Sequence, residues 1–105
     1  MNRTLTADEL KAAQTQIKLI DVRRPGDRAA DPEAIPGASW RDPEQVDQWL
    51  NELPHDKDVV IYCVRGGSVS NSVLDKLREN NINARYLEGG IAAWKQSGGA
   101  TEKVG

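Results

Sequence analysis

The chain has 105 residues, with 14 Lys and Arg against 16 Asp and Glu, a net charge of −2 and a low hydrophobic content of 38%. That allows one domain with a modest core and leaves no basic excess for nucleic acid or a membrane surface. A single cysteine excludes an internal disulfide, and no apolar run is long enough to span a bilayer or to form a leader core after Met1-Asn2-Arg3-Thr4-Leu5. The expectation is one domain over residues 1–105, cytoplasmic, with no cofactor, no metal, no nucleic-acid partner and no membrane partner.

In chain order, Thr6-Ala7-Asp8-Glu9 reads as a capping box opening a short helix toward Gln14. Lys18 to Val22 follows as a strand and ends in Asp21-Val22-Arg23, whose carboxylate and guanidinium share one face of an extended segment, able to pair or to point at a common site. Pro25 to Pro43 holds four of the five prolines without sustained periodicity and reads as a long connection over the domain, which Trp40 packs against the core. Asp42-Pro43-Glu44-Gln45 opens a second helix, with an acidic N-cap, proline at the first position and Gln45 as box partner. Val46, Trp49, Leu50 and Leu53 then fall on one helical face and read as core. Pro54 to Lys57 is a polar turn. His55, the only histidine, lies at the far end of the next strand from Cys63 and reads as a surface residue, not a general base.

Val59 to Tyr62 is a short β-rich run leading into Cys63-Val64-Arg65-Gly66-Gly67-Ser68-Val69. The helical pattern that follows carries Val69, Val73, Leu74 and Leu77 on one face and stops at Asn80 to Asn83. Ala84 to Leu87 reads as another strand. Glu88-Gly89-Gly90 turns into a short helix with Ile91 and Trp94 inward, Gly98-Gly99 stops it, and residues 100–105 read as a frayed polar tail. Strands alternating with helices imply an α/β fold, a central parallel sheet with helices on both faces. In such folds the functional loops lie at the carboxyl ends of strands, where Arg23 and Cys63 both fall.

Strand, tight loop and helix put Cys63 where backbone N–H groups and a helix N-terminus converge, a field that favours a negative sulfur. Gly66 and Gly67 let the loop curl its amides inward. Arg65 offers a planar donor fork suited to an anion with several oxygens, and Ser68 can cap the helix or turn its hydroxyl into the cradle. A lone cysteine is more often packing than chemistry; this setting reverses that balance and makes Cys63 the candidate nucleophile.

Cys63-Val64-Arg65-Gly66-Gly67-Ser68 resembles the Cys-x-x-Gly-x-Ser/Arg active-site loop of the rhodanese (thiosulfate sulfurtransferase) family. Leu19-Ile20-Asp21-Val22-Arg23 and Ile35-Pro36-Gly37-Ala38 are similar to its Asp-x-Arg and Ile-Pro-Gly-Ala signatures, and Leu87-Glu88-Gly89-Gly90-Ile91-Ala92-Ala93-Trp94 to its Gly-Gly-x-x-x-Trp signature. Together they cover nearly the whole chain in the family's order. Ala34 stands where family members often carry a histidine. The resemblance implies a rhodanese-like three-layer fold and a single-domain sulfurtransferase. In that reading Cys63 is the catalytic nucleophile, Val64 to Val69 and Arg23 bind substrate, and Asp21 supports the loop.

The chemistry implied is attack of Cys63 on the outer sulfur of thiosulfate or a similar donor. Sulfite leaves, a Cys63 persulfide remains, and an external thiol, cyanide or a protein thiol takes the sulfur in a second half-reaction. Two alternatives share the fold: a persulfide carrier or sensor, and a non-catalytic interaction module. A phosphatase-like or arsenate-reducing enzyme of the Cys-x5-Arg type is disfavoured, because Ser68 and Val69 occupy the positions where its arginine would be needed.

Overall fold

The computed structural model describes residues 3–103. Its elements are β1 (Thr4–Leu5), α1 (Ala7–Ala13), β2 (Ile17–Asp21), α2 (Pro25–Ala30), β3 (Glu33–Ala34), β4 (Ser39–Trp40), α3 (Val46–Trp49) between 3₁₀ turns at Pro43–Gln45 and Leu50–Glu52, β5 (Asp58–Tyr62), α4 (Ser68–Glu79), β6 (Ala84–Leu87), α5 (Gly90–Gln96) and β7 (Glu102–Lys103). Five strands form a parallel sheet in the order β1-β6-β5-β2-β4. The α/β architecture with helices on both faces is therefore the one the alternating pattern predicts.

β5 is the middle strand and is buried on both faces, which is why Val59-Val60-Ile61-Tyr62 is a continuous apolar run rather than an alternating one. Its side chains still alternate. Val59 and Ile61 join Ile20, Val22, Trp49, Leu50, Val73, Leu74 and Leu77 in a core beneath α3 and α4. Val60 and Tyr62 join Leu5, Leu10, Leu87, Ile91 and Trp94 beneath α1 and α5. Each fully buried Leu or Ile contributes roughly 1.5–3 kcal/mol relative to exposure.

The Thr6 capping box forms as read: Glu9 N–H donates to Thr6 Oγ1 at 3.2 Å and Thr6 N–H to Glu9 Oε1 at 2.8 Å. At the second helix start, Asp42 Oδ1 accepts from Glu44 N–H at 2.9 Å. The helix there is only one α turn between two 3₁₀ turns, and its stripe is still core: Trp49, Leu50 and Leu53 are buried and Val46 packs against them. Beyond the end of α4 the chain turns at Asn81, in the left-handed region at φ 63, where asparagine is among the residues best tolerated.

Two expectations are corrected, and one strand was not anticipated. Residues 25–43 are not bare connection but contain α2, β3 and β4. A first strand, β1, forms at the sheet edge because Tyr86 and Glu88 N–H groups donate to the carbonyls of Arg3 and Leu5 at 2.9 Å each. The tail is not frayed where it is described. β7 pairs antiparallel with β3, Trp94 Nε1–H donates to Ala100 O at 2.7 Å and Thr101 Oγ1 to Glu33 Oε1 at 2.6 Å. Val104 and Gly105 of that tail lie outside the described residues.

Candidate functional site

The register of β2 on β5 pairs Asp21 with Tyr62, and Val22 N–H continues the ladder to Tyr62 O at 2.8 Å. The segments after Asp21 and after Tyr62 therefore leave the sheet side by side. By strand alternation Cys63 turns to the same face as Val59 and Ile61, under the start of α4, and only 5% of it is exposed. That small exposure opens into a cavity of ≈ 240 Å³ lined by Cys63, Val64, Arg65, Gly67, Ser68 and Val69 and, from the segment after β2, by Arg24 and Asp27.

The loop is held from behind by α5. Ile91 N–H donates to Cys63 O at 3.0 Å and Ala92 N–H to Val64 O at 3.1 Å. In a planar trans peptide N–H and C=O point in opposite directions, so the N–H groups of Val64 and Arg65 face away from α5. None of the N–H groups from Val64 to Val69 has an acceptor among the described residues. Six N–H groups are thus left unspent along the loop that runs from Cys63 into α4, a supply of donors suited to holding negative charge.

Gly66 is the glycine the loop demands. Its φ is +69, and a Cβ there would lie 3.0 Å from Gly89 N and 3.2 Å from Leu87 O. Gly67 has φ −93, so its side-chain-free backbone is not needed for a left-handed turn. Ser68 does not cap α4, since Gly67 occupies the N-cap and no side chain caps it; Ser68 is exposed on the cavity wall. Gly90 is the position sequence reasoning missed. With φ +63 and a would-be Cβ 2.5 Å from both Cys63 O and Val64 O, it lets α5 start directly against the loop. The Gly-Gly pair before Ile91 was the available signal.

Asp21 and Arg23 do stand beside the loop, but Arg23 does not face the cavity. It is 1% exposed. Its Nη2 reaches Asp21 Oδ2 at 2.8 Å and Nε both Asp21 oxygens at 3.0–3.1 Å, while Nη1 and Nη2 donate to the carbonyls of Asp31 and Glu33 at 2.9 Å each. Burial opposes the Arg23 charge, but hydrogen bonding to Asp21 and its carboxylate outweigh that, and the guanidinium pKa is raised. Each of its three nitrogens is engaged within the fold, and its neighbour is not. Arg24, the N-cap residue of α2, is exposed on the cavity wall, and its side chain has no hydrogen bond or ion pair among the described residues; the same holds for Arg65.

Trp40 is structural, as read: its indole N–H donates to Arg23 O at 2.9 Å, fixing the bend that separates Arg23 from Arg24. Tyr62 lies on the far face, where burial pushes its phenol up and its hydroxyl accepts from Ile35 N–H at 3.3 Å. His55 is exposed on its turn. Ser70 was not anticipated: it is fully buried and its hydroxyl has no partner. Among the described residues no group of three His, Cys, Asp or Glu could hold a metal ion, and no helix is long and apolar enough to cross a membrane.

Residues 6–97 match the family described as rhodanese-like domain. The chain belongs to the rhodanese-like family. A rhodanese-related protein from Thermoplasma volcanium shares its fold at a TM-score of 0.85, with 22% identity over 96% of this chain and 98% of that one. A Bacillus subtilis protein, YqhL, is 35% identical over 96 residues, which span 88% of this chain and 71% of YqhL. A protein named sulfurtransferase from Allochromatium vinosum is 30% identical over 82 residues, 78% of this chain and 75% of its own length. The rhodanese-like assignment accounts for the order of the four signatures, and the loop at Cys63 is where this chain's own chemistry must be sought.

Proposed function

We propose that the protein is a sulfurtransferase that carries sulfane sulfur on Cys63, with thiosulfate or a similar anionic donor as its source. The observation that carries this reading is a buried cysteine opening into a cavity lined by two unpaired arginines and by a loop whose N–H groups have no acceptor among the described residues. The sulfurtransferase name of the Allochromatium relative supports it.

The Cys63 thiolate attacks the outer sulfur of thiosulfate. A sulfur–sulfur bond forms to Sγ, the bond to the sulfonate sulfur breaks, and its electron pair leaves with sulfite. Arg65 and Arg24, which line the same cavity, hold the sulfonate oxygens and stabilise the charge gathering on sulfite. The terminal persulfide sulfur sits under the N–H groups of Val64 to Val69. An external thiolate or cyanide then attacks that sulfur, the bond to Sγ breaks, and its electron pair restores the Cys63 thiolate. Ser68 flanks the path, and Asp21 with Arg23 keeps the neighbouring strand end in register. In this mechanism no side chain has to move a proton, in keeping with the distance of His55 from the site.

The test is the intact mass of the reduced protein after brief exposure to thiosulfate, with Cys63→Ser as control, followed by cyanide. Wild type should gain one sulfur that cyanide removes, and the control none. A wild-type chain that takes no sulfur from thiosulfate, mercaptopyruvate or a persulfide donor overturns the reading and favours an interaction module. Loading without turnover to small acceptors makes the protein a persulfide carrier.

A further inference from the structure

The Cys63 cavity does not end at the loop. Across Arg24, Ser68 and Val69 it adjoins a second hollow of ≈ 170 Å³, whose far wall is Pro43, Glu44 and Val73. A donor of a few atoms and a cyanide acceptor leave this second compartment unused. Its walls combine apolar surface at Pro43, Val69 and Val73 with two charges of opposite sign, Arg24 and Glu44. These charges share the hollow without pairing: neither side chain has an ion pair or hydrogen bond among the described residues. Opposite charges held apart across an apolar floor match a ligand that carries both charges itself.

We propose that this compartment is the acceptor subsite and that it takes a small thiol with an amino-acid head group. Arg24 receives the carboxylate, Glu44 the ammonium, and the methylene lies over Val69 and Val73, so that the thiolate reaches back toward Cys63. This deepens the sulfurtransferase reading and rests on it. In the step itself the acceptor thiolate bonds to the outer persulfide sulfur, the sulfur–sulfur bond to Cys63 breaks, and the electron pair returns to Sγ. The product is the acceptor's persulfide, and no outside oxidant or reductant is consumed. Arg24 also lines the donor cavity, so it serves both half-reactions, as a ping-pong sequence with alternating occupants permits.

The experiment loads the protein with thiosulfate and measures discharge, as kcat/KM, to cysteine, 2-mercaptoethylamine and 3-mercaptopropionate. Wild type should prefer cysteine to either thiol that lacks one charge. Glu44→Gln should lower the rate constant for cysteine relative to that for 3-mercaptopropionate by about tenfold, the loss of one charge-assisted contact. Arg24→Gln should lower it by a similar factor relative to that for 2-mercaptoethylamine. Glu44 and Arg24 are both exposed, so these variants should fold. Equal discharge of the loaded wild type to all three thiols overturns the subsite, as does a Glu44→Gln change that falls on all three alike. So does a loaded protein that discharges to cyanide or a protein thiol but to none of the three. A chain that takes no sulfur at all is recognised before any acceptor is added, and then it is the sulfurtransferase reading that fails.

Discussion

If α5 holds the Cys63 loop in shape, Gly90→Ala should damage both stability and sulfur loading. Alanine at φ +63 pays roughly 1–2 kcal/mol for the left-handed conformation. Its Cβ would start 2.5 Å from Cys63 O and Val64 O, inside any real contact distance, so α5 and the loop must separate by about half an ångström. That separation strains the Ile91 and Ala92 bonds to those carbonyls, now 3.0 and 3.1 Å, at roughly 0.5–1.5 kcal/mol each. The sum is about 2–5 kcal/mol, a large share of the roughly 5–15 kcal/mol a domain has. Urea unfolding followed by tryptophan fluorescence measures it, since buried Trp94 sits in α5 itself and Trp49 under the opposite face. Sulfur loading at zero urea should fall in the same variant, because the freed carbonyls carry the Val64 and Arg65 N–H groups out of position. Gly26→Ala is the control: nothing lies within 4 Å of its added Cβ, and a helical alanine gains rather than loses about 0.5–1 kcal/mol. A Gly90→Ala chain as stable as wild type that loads sulfur at the wild-type rate would refute the buttress.

Other perturbations follow from the same contacts. Asp21→Asn leaves a buried Arg23 without its counter-charge and should cost about 3–5 kcal/mol in denaturant stability, whereas replacing both by apolar residues of similar volume should recover much of the loss. The hydrogen bond from Lys95 at 2.6 Å, with the Lys95 charge beside it, holds the Asp31 carboxyl below its ordinary 3.8. The folded chain therefore binds fewer protons there than the unfolded one, and the contribution is present at neutral pH and lost as pH falls through the folded value. Urea midpoints of wild type and Asp31→Asn should differ at pH 7 and converge well below about pH 4. Ser70→Ala removes an orphaned buried hydroxyl and adds helix propensity, so the midpoint should rise by about 1 kcal/mol equivalent; a fall would mean the hydroxyl has a partner.

What could be read from the chain depended on how local its cause was. Thr6 to Glu9, the stripe from Val46 to Leu53 and the helix after Cys63 follow from spacing over a few neighbouring residues, and their side chains stand where spacing puts them. β1 and β7 are two residues each and exist only because β6 and β3 offer free edges. No pattern inside Thr4–Leu5 or Glu102–Lys103 could announce a partner some 70 to 80 residues away. Gly90 was visible as a turn glycine, but its second reason, the approach of α5 to the Cys63 and Val64 carbonyls, is a tertiary contact.

Arg23 and Arg24 show how fine that limit is. Both are arginines just past the end of β2, and an Asp-x-Arg spacing puts Arg23 on the face of Asp21, as the two-residue period requires. The same period left two outcomes open, pairing with Asp21 or facing a common site, and pairing is the one realised. A side chain on the face of a buried carboxylate, two residues on, is close enough to be consumed by it, and Arg23 is. The following residue turns the other way, and Pro25 starts a helix immediately after it, so Arg24 is left at the mouth of the cavity with its charge unspent. An arginine paired by its own strand supports the site. The one displaced from that pairing by a single residue keeps its charge at the cavity wall.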